Sequence, residues 1–124
     1  MKFRIMNESK GGFELISDMN WSDIELVVGE ELNNALGNDV YFDVLKDKYR
    51  TDREEINMPF WISFNDEKFP FRHLKGNFRA NPKKLDHVWV SILKPGEYVY
   101  TDLGSAFNPG DIANRLIKFI NEET

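Results

Sequence analysis

MPFWISF, residues Met58–Phe64, is the stretch whose reading decides the fold. Its alternation places Phe60, Ile62 and Phe64 on one side and Trp61 on the other, so it reads as a central strand covered on both faces. Downstream, Val88–Leu93 and Glu97–Thr101 flank Pro95 and Gly96, the pair suited to the two central positions of a type II turn. They read as a hairpin. Between these runs, Asn65 and Asp66 turn the chain into Lys68–His73, an expected edge strand because Pro70 cannot donate to a ladder. Upstream, Val40, Phe42 and Val44 alternate with Tyr41 and Asp43 as another strand. Lys2–Met6 and Phe13–Ser17, separated by Gly11 and Gly12, suggest a first hairpin. Strands in runs, rather than in alternation with helices, point to an α+β fold: a mostly antiparallel sheet of about five to seven strands with two helices packed on it.

The first helix is expected over 22–36. Ser22 and Glu25 have the spacing of a capping box, with Trp21 and Leu26 as its hydrophobic staple. Ile24, Val27, Val28, Leu32, Ala35 and Leu36 form the inward stripe, and Gly37 suits the left-handed residue that ends many helices. Gly29, at the border of the outward face, suggests a close approach or ordinary tight packing on the sheet. The second helix starts at Asn108 as cap, with Pro109 in the first helical position, and runs to Asn121. Its buried stripe is Ile112, Leu116, Phe119 and Ile120; Asn114, Arg115 and Lys118 face outward. Residues 46–57 and 74–87 give no clear element, and Gly104–Ser105 reads as a loop.

The 124 residues suit one domain, 1–124, and the ten Phe, three Trp and four Tyr can furnish a substantial core. The formal net charge of −5 conceals a sorting along the chain. Residues 1–47 hold four basic against ten acidic side chains, 48–94 hold ten against six, and 95–124 hold two against five. Such asymmetry bears on partners and encounter rates rather than on fold. The absence of Cys excludes thiolate metal sites and thiol nucleophiles. No signal-peptide core and no apolar run of the ~20 residues that a membrane span needs is present. A cytoplasmic protein without membrane association, cofactor or bound metal is expected.

His73 and His87 are the only candidates for acid–base chemistry at neutral pH. They bracket Arg72, Lys75, Arg79, Lys83 and Lys84, with Phe71 and Phe78 interleaved. Two imidazoles beside cations could cleave RNA without a metal or transfer a phosphoryl group. The same segment could hold a nucleic acid, with cations on phosphates and rings under bases, or be a solvated loop. The acidic net charge and the absence of an aromatic RNP pattern argue against a nucleic-acid partner. No catalytic residue is therefore assigned.

The acidic first third is the stronger lead. Asp18, Asp23, Glu30, Asn34, Asp39, Tyr41 and Asp43 lie on or beside the first helix and the strand after it. Carboxylates around an aromatic anchor suit capture of a basic protein, the charges raising the on-rate and the ring supplying binding energy; they equally suit a solvated face. In size, acidity and the carboxylate-rich stretch from Asp18 to Asp43, the chain resembles the immunity proteins that bacteria make against nuclease toxins. The resemblance covers the chain in general character, without a motif that carries residue roles over. It implies a non-enzymatic inhibitor that neutralises a basic toxin by stoichiometric binding.

Overall fold

The computed structural model describes residues 5–7, 13–15, 21–48, 50–51, 55–81 and 84–124. Two short strands, β1 (Ile5–Asn7) and β2 (Phe13–Leu15), pair antiparallel with Ile5 opposite Leu15. The turn expected at Gly11 and Gly12 lies outside the described residues. There follow α1 (Trp21–Leu36), β3 (Val40–Val44), a single 3-10 turn at Lys46–Lys48, β4 (Arg50–Thr51), β5 (Ile56–Phe64), β6 (His73–Asn81), β7 (Lys84–Leu93), β8 (Thr101–Ala106) and α2 (Pro109–Glu123). The last six strands form one antiparallel sheet in the order β3-β5-β6-β7-β8, and β4 follows β3 along the same edge of β5. With the two helices packed against it and each other, this is the α+β architecture read from the sequence.

The period of two drives the layering. Along β5, Ile56, Met58, Phe60, Ile62 and Phe64 are buried, whereas Asn57, Pro59, Trp61 and Ser63 are only half-buried. The buried set meets Ile24, Val28 and Leu32 of α1 and Ile112, Leu116 and Ile120 of α2 in one core. Its centre is aromatic: the Phe60 and Phe78 rings lie 4.5 Å apart, Phe42 is 5.2 Å from Phe60, and Trp21 stacks on Phe78 at 5.5 Å. Each such ring removes roughly 150–250 Å² from water, which makes this cluster a dominant contribution to stability. Both helices lie on that one face. Among the described residues both helices thus cover one side of the central strand, and Trp61 belongs to the opposite face of the sheet.

Three segments differ from the sequence reading. Lys68–His73 is not a strand: residues 65–72 loop out, the Asp66 carboxylate accepts the Lys68 N–H at 3.0 Å, and Phe69 turns into the core beside Phe64. The basic stretch after it is no solvated loop. It supplies β6 and the start of β7, with Leu74, Phe78 and Ala80 buried and Lys75 and Arg79 on the other face; its charges hide a strand alternation that begins only after Arg72. Gly104 lies within β8 rather than in a loop. There Val90 pairs with Gly104 but Ser91 with Asp102, so Leu103 is an extra residue, and the bulge needs the positive φ of 97° that Gly104 adopts. The Pro95–Gly96 turn forms as expected, with Gly96 at φ 81° and the Glu97 N–H donating to the Lys94 carbonyl at 3.1 Å. Its second strand starts at Thr101 instead of Glu97, leaving Tyr98, Val99 and Tyr100 as an exposed tip.

Candidate functional site

The orientation of α1 follows from how it grips the edge of the sheet. Residues 39 and 45 exchange backbone bonds with the β5 side, so by alternation Val40, Phe42 and Val44 point their N–H and C=O groups at the free edge. The Glu25 carboxylate accepts the Val44 N–H at 2.6 Å, and the Asn33 amide donates to the Val40 carbonyl. Two groups that an edge strand would leave open to other chains are thus closed by helix side chains. The expected capping box at Ser22 and Glu25 does not form: α1 already begins at Trp21, Glu25 is committed to β3, and the Ser22 hydroxyl accepts from the Lys46 ammonium at 2.6 Å. The staple fails with it, since Trp21 turns inward onto Phe78 while Leu26 stands outward. A Cβ on Gly29 would meet nothing within 4 Å, so no close approach explains that glycine.

With Glu25 and Asn33 facing the strand, the side directed to solvent carries Asp23, Leu26, Glu30 and Asn34, spaced so that they share one helical stripe. Leu26 is 62% exposed at its middle, flanked by the exposed Glu30 and the half-buried Asp23. Asn34 and, in the turn after α1, Asp39 are exposed as well. Tyr41 and Asp43 are also exposed, but they alternate with the buried Val40, Phe42 and Val44 and so lie on the sheet face away from the helices. Of the seven residues expected to act together, the six described ones are thereby divided between the α1 stripe, the turn after it and the opposite face. Asp18 lies outside the described residues. Leu26 is the member that sequence reasoning missed, because an apolar residue at a helix start was read as a staple.

The open face of the sheet collects the histidines and cations. His73 precedes Lys75 by two residues on β6, and His87 precedes Trp89 by two on β7; Lys75 pairs with Leu93 and Arg79 with Trp89. The two imidazoles are consequently separated by roughly eight residues of ladder, about 27 Å. They do not make one reaction centre. The interleaved aromatics are not available as stacking platforms either: Phe78 is in the core, and Phe71 packs against Phe64 at 4.7 Å. Arg79 is paired with Glu55 at 3.5 Å. Among the described residues no group of His, Asp and Glu has the arrangement of a metal site, and no helix is long and apolar enough to cross a membrane.

At one end of this face the β5–β6 and β7–β8 loops enclose a groove of about 650 Å³. Trp61, Phe71, Leu93 and Tyr98 line it, with Arg72 and Lys75 at its border. Lys94, in the β7–β8 loop at the groove, bonds Glu123 of α2 at 2.7 Å. That hydrogen bond, chiefly, holds the Lys94 ammonium above the ordinary lysine value; desolvation opposes it, and the carboxylate charges of Glu123 and then Glu97 add to it more weakly. No protein-family model, no curated protein and no solved structure matches the chain.

Proposed function

We propose that this chain is a non-enzymatic protein-binding module that neutralises a basic, nuclease-type toxin in the cytoplasm, with the outer stripe of α1 as its contact surface. The observation that carries the reading is Leu26, 62% exposed on a helix whose neighbouring outward positions are Asp23, Glu30 and Asn34. An aliphatic side chain held out in water loses the stabilisation that burial would give it in the fold, and that stabilisation becomes available on association. Carboxylates around it favour a cationic partner surface and disfavour acidic ones. The separation of His73 from His87 along the sheet supports this reading over the RNA-cleaving alternative, which needs the two imidazoles at one site.

The test is inhibition. Purified with the product of the adjacent reading frame, the chain should form a stoichiometric complex and suppress nuclease activity in proportion to its concentration. Leu26→Ser combined with Glu30→Lys, folded as judged by circular dichroism, should lose that inhibition. Complex formation unaffected by the double variant, or RNA cleavage by the chain itself, overturns the proposal.

A further inference from the structure

We propose that the groove between the β5–β6 and β7–β8 loops is a second binding site, which takes an acidic, apolar-anchored segment of a partner protein in extended form. It lies on the sheet face away from the α1 stripe and stands independently of the function assigned to that helix. Three observations converge on it. The walls are apolar, with Trp61, Phe71 and Leu93 half-buried around an opening of about 650 Å³, room for a side chain and its flanking backbone. Tyr98 is 98% exposed at the rim and Val99 is 76% exposed beside it, an apolar tip standing largely clear of the described fold. Arg72 and Lys75 are exposed at the same groove, and neither pairs with a carboxylate among the described residues.

Charge selects the occupant. Two unpaired cations beside an apolar floor complement a carboxylate next to an aliphatic or aromatic side chain, and Arg72 can hold such a carboxylate in bidentate geometry. A nucleic acid fits less well. The Lys75 ammonium lies 5.3 Å from the Trp61 ring centre and His73 meets the same ring edge-on at 5.5 Å, so that indole does not offer a clear face to a base. Beyond the groove the face continues with Asn57, Asn77 and Ser91, and Arg79, the next cation along it among the described residues, is paired with Glu55, which leaves no run of free cations for successive phosphates.

The experiment uses the full chain and fluorescence anisotropy of a short capped, labelled peptide in which glutamates flank a single leucine. It should bind, and the same peptide with lysine in place of glutamate should not. Arg72→Glu with Lys75→Glu should weaken binding at least tenfold, and Tyr98→Ser by about tenfold, as expected of an aromatic anchor. All three positions are exposed, so circular dichroism should be unchanged. Leu26→Ser should bind the peptide as the unmodified chain does, which separates this site from the α1 stripe. No binding at millimolar peptide, equal binding by the charge-reversed variant, or stronger binding of an oligothymidylate overturns the proposal. So does self-association that disappears on charge reversal, because the groove would then hold a second copy of the chain.

Discussion

The Phe60 ring occupies the space that a side chain on Gly76 would need: a Cβ there would fall 2.0 Å from Phe60 Cζ. The two residues face each other across the β5–β6 ladder, so the absent side chain on β6 is what admits the ring between the strands and the helices. Phe60 is fully buried and packed between Phe42 and Phe78, so a shift of its ring would have to displace those neighbours. Gly76→Ala should therefore destabilise by about 1–3 kcal/mol, the usual cost of overpacking a core. Urea unfolding measures it. Phe60→Leu in the Gly76→Ala background should recover part of the loss, and an unchanged midpoint for Gly76→Ala alone would place the ring elsewhere.

Glu25 and Ser22 should behave oppositely to a capping pair. Because Glu25 accepts the Val44 N–H at the sheet edge, Glu25→Ala leaves a part-buried donor unpaired and should cost about 1.5–3 kcal/mol, the range for a hydrogen bond to a charged group. Among the described residues the Ser22 hydroxyl meets only the exposed Lys46 ammonium, so Ser22→Ala should stay within about 0.5 kcal/mol of the unmodified chain. Denaturation midpoints of the two variants decide it, and a larger loss at Ser22 would restore the capping box.

What was legible in the sequence was local. Asn108 caps α2 as read, its side-chain oxygen accepting the Asp111 N–H at 2.9 Å, and Gly37 ends α1 at φ 113°. These signals act within one turn of chain. The sites were less legible because they depend on which side of β3 and β6 faces the helices. Tyr41 and Asp43 read as neighbours of Glu30 along the chain, yet strand alternation sends them to the other layer. His73 reads as the end of a strand from Lys68, and Lys75 falls in a stretch without a clear element, because the charges mask a strand that starts at His73 and whose apolar positions, Leu74 and Phe78, are interrupted by Gly76. Leu26 is apolar at a helical spacing, and only the tilt imposed by Glu25 and Asn33 makes it an outward residue.

Lys94 should give alkaline unfolding a measurable component. Its folded-state pKa is raised above the ordinary 10.5, chiefly by the hydrogen bond to Glu123. A raised basic group contributes stability that is complete below the unfolded value and is lost as pH rises through the folded one. Stability should thus fall more steeply above pH 10.5 in the unmodified chain than in Lys94→Gln, while the two profiles run parallel at neutral pH. Profiles that also stay parallel through the alkaline range would show that the Lys94–Glu123 bond adds nothing in solution.

The α1 stripe predicts a division of labour between charge and burial. Glu30 is exposed and has no ion-pair partner among the described residues, so it acts on a cationic partner mainly at a distance. Glu30→Lys should slow association, reduce its dependence on salt and leave dissociation nearly unchanged, because exposed charges steer encounters within a screening length of about 8–10 Å. Leu26 carries no charge and contributes only when water leaves it. Leu26→Ser should leave association nearly unchanged and speed dissociation at least tenfold, a cost of about 1.4 kcal/mol or more. Neither change should lower the denaturation midpoint by more than about 0.5 kcal/mol in equivalent stability, since both side chains already face solvent. Surface plasmon resonance at two salt concentrations, with the cationic partner immobilised, separates the rates. If Leu26→Ser alters neither rate, the stripe is solvated surface and the contact belongs to another face.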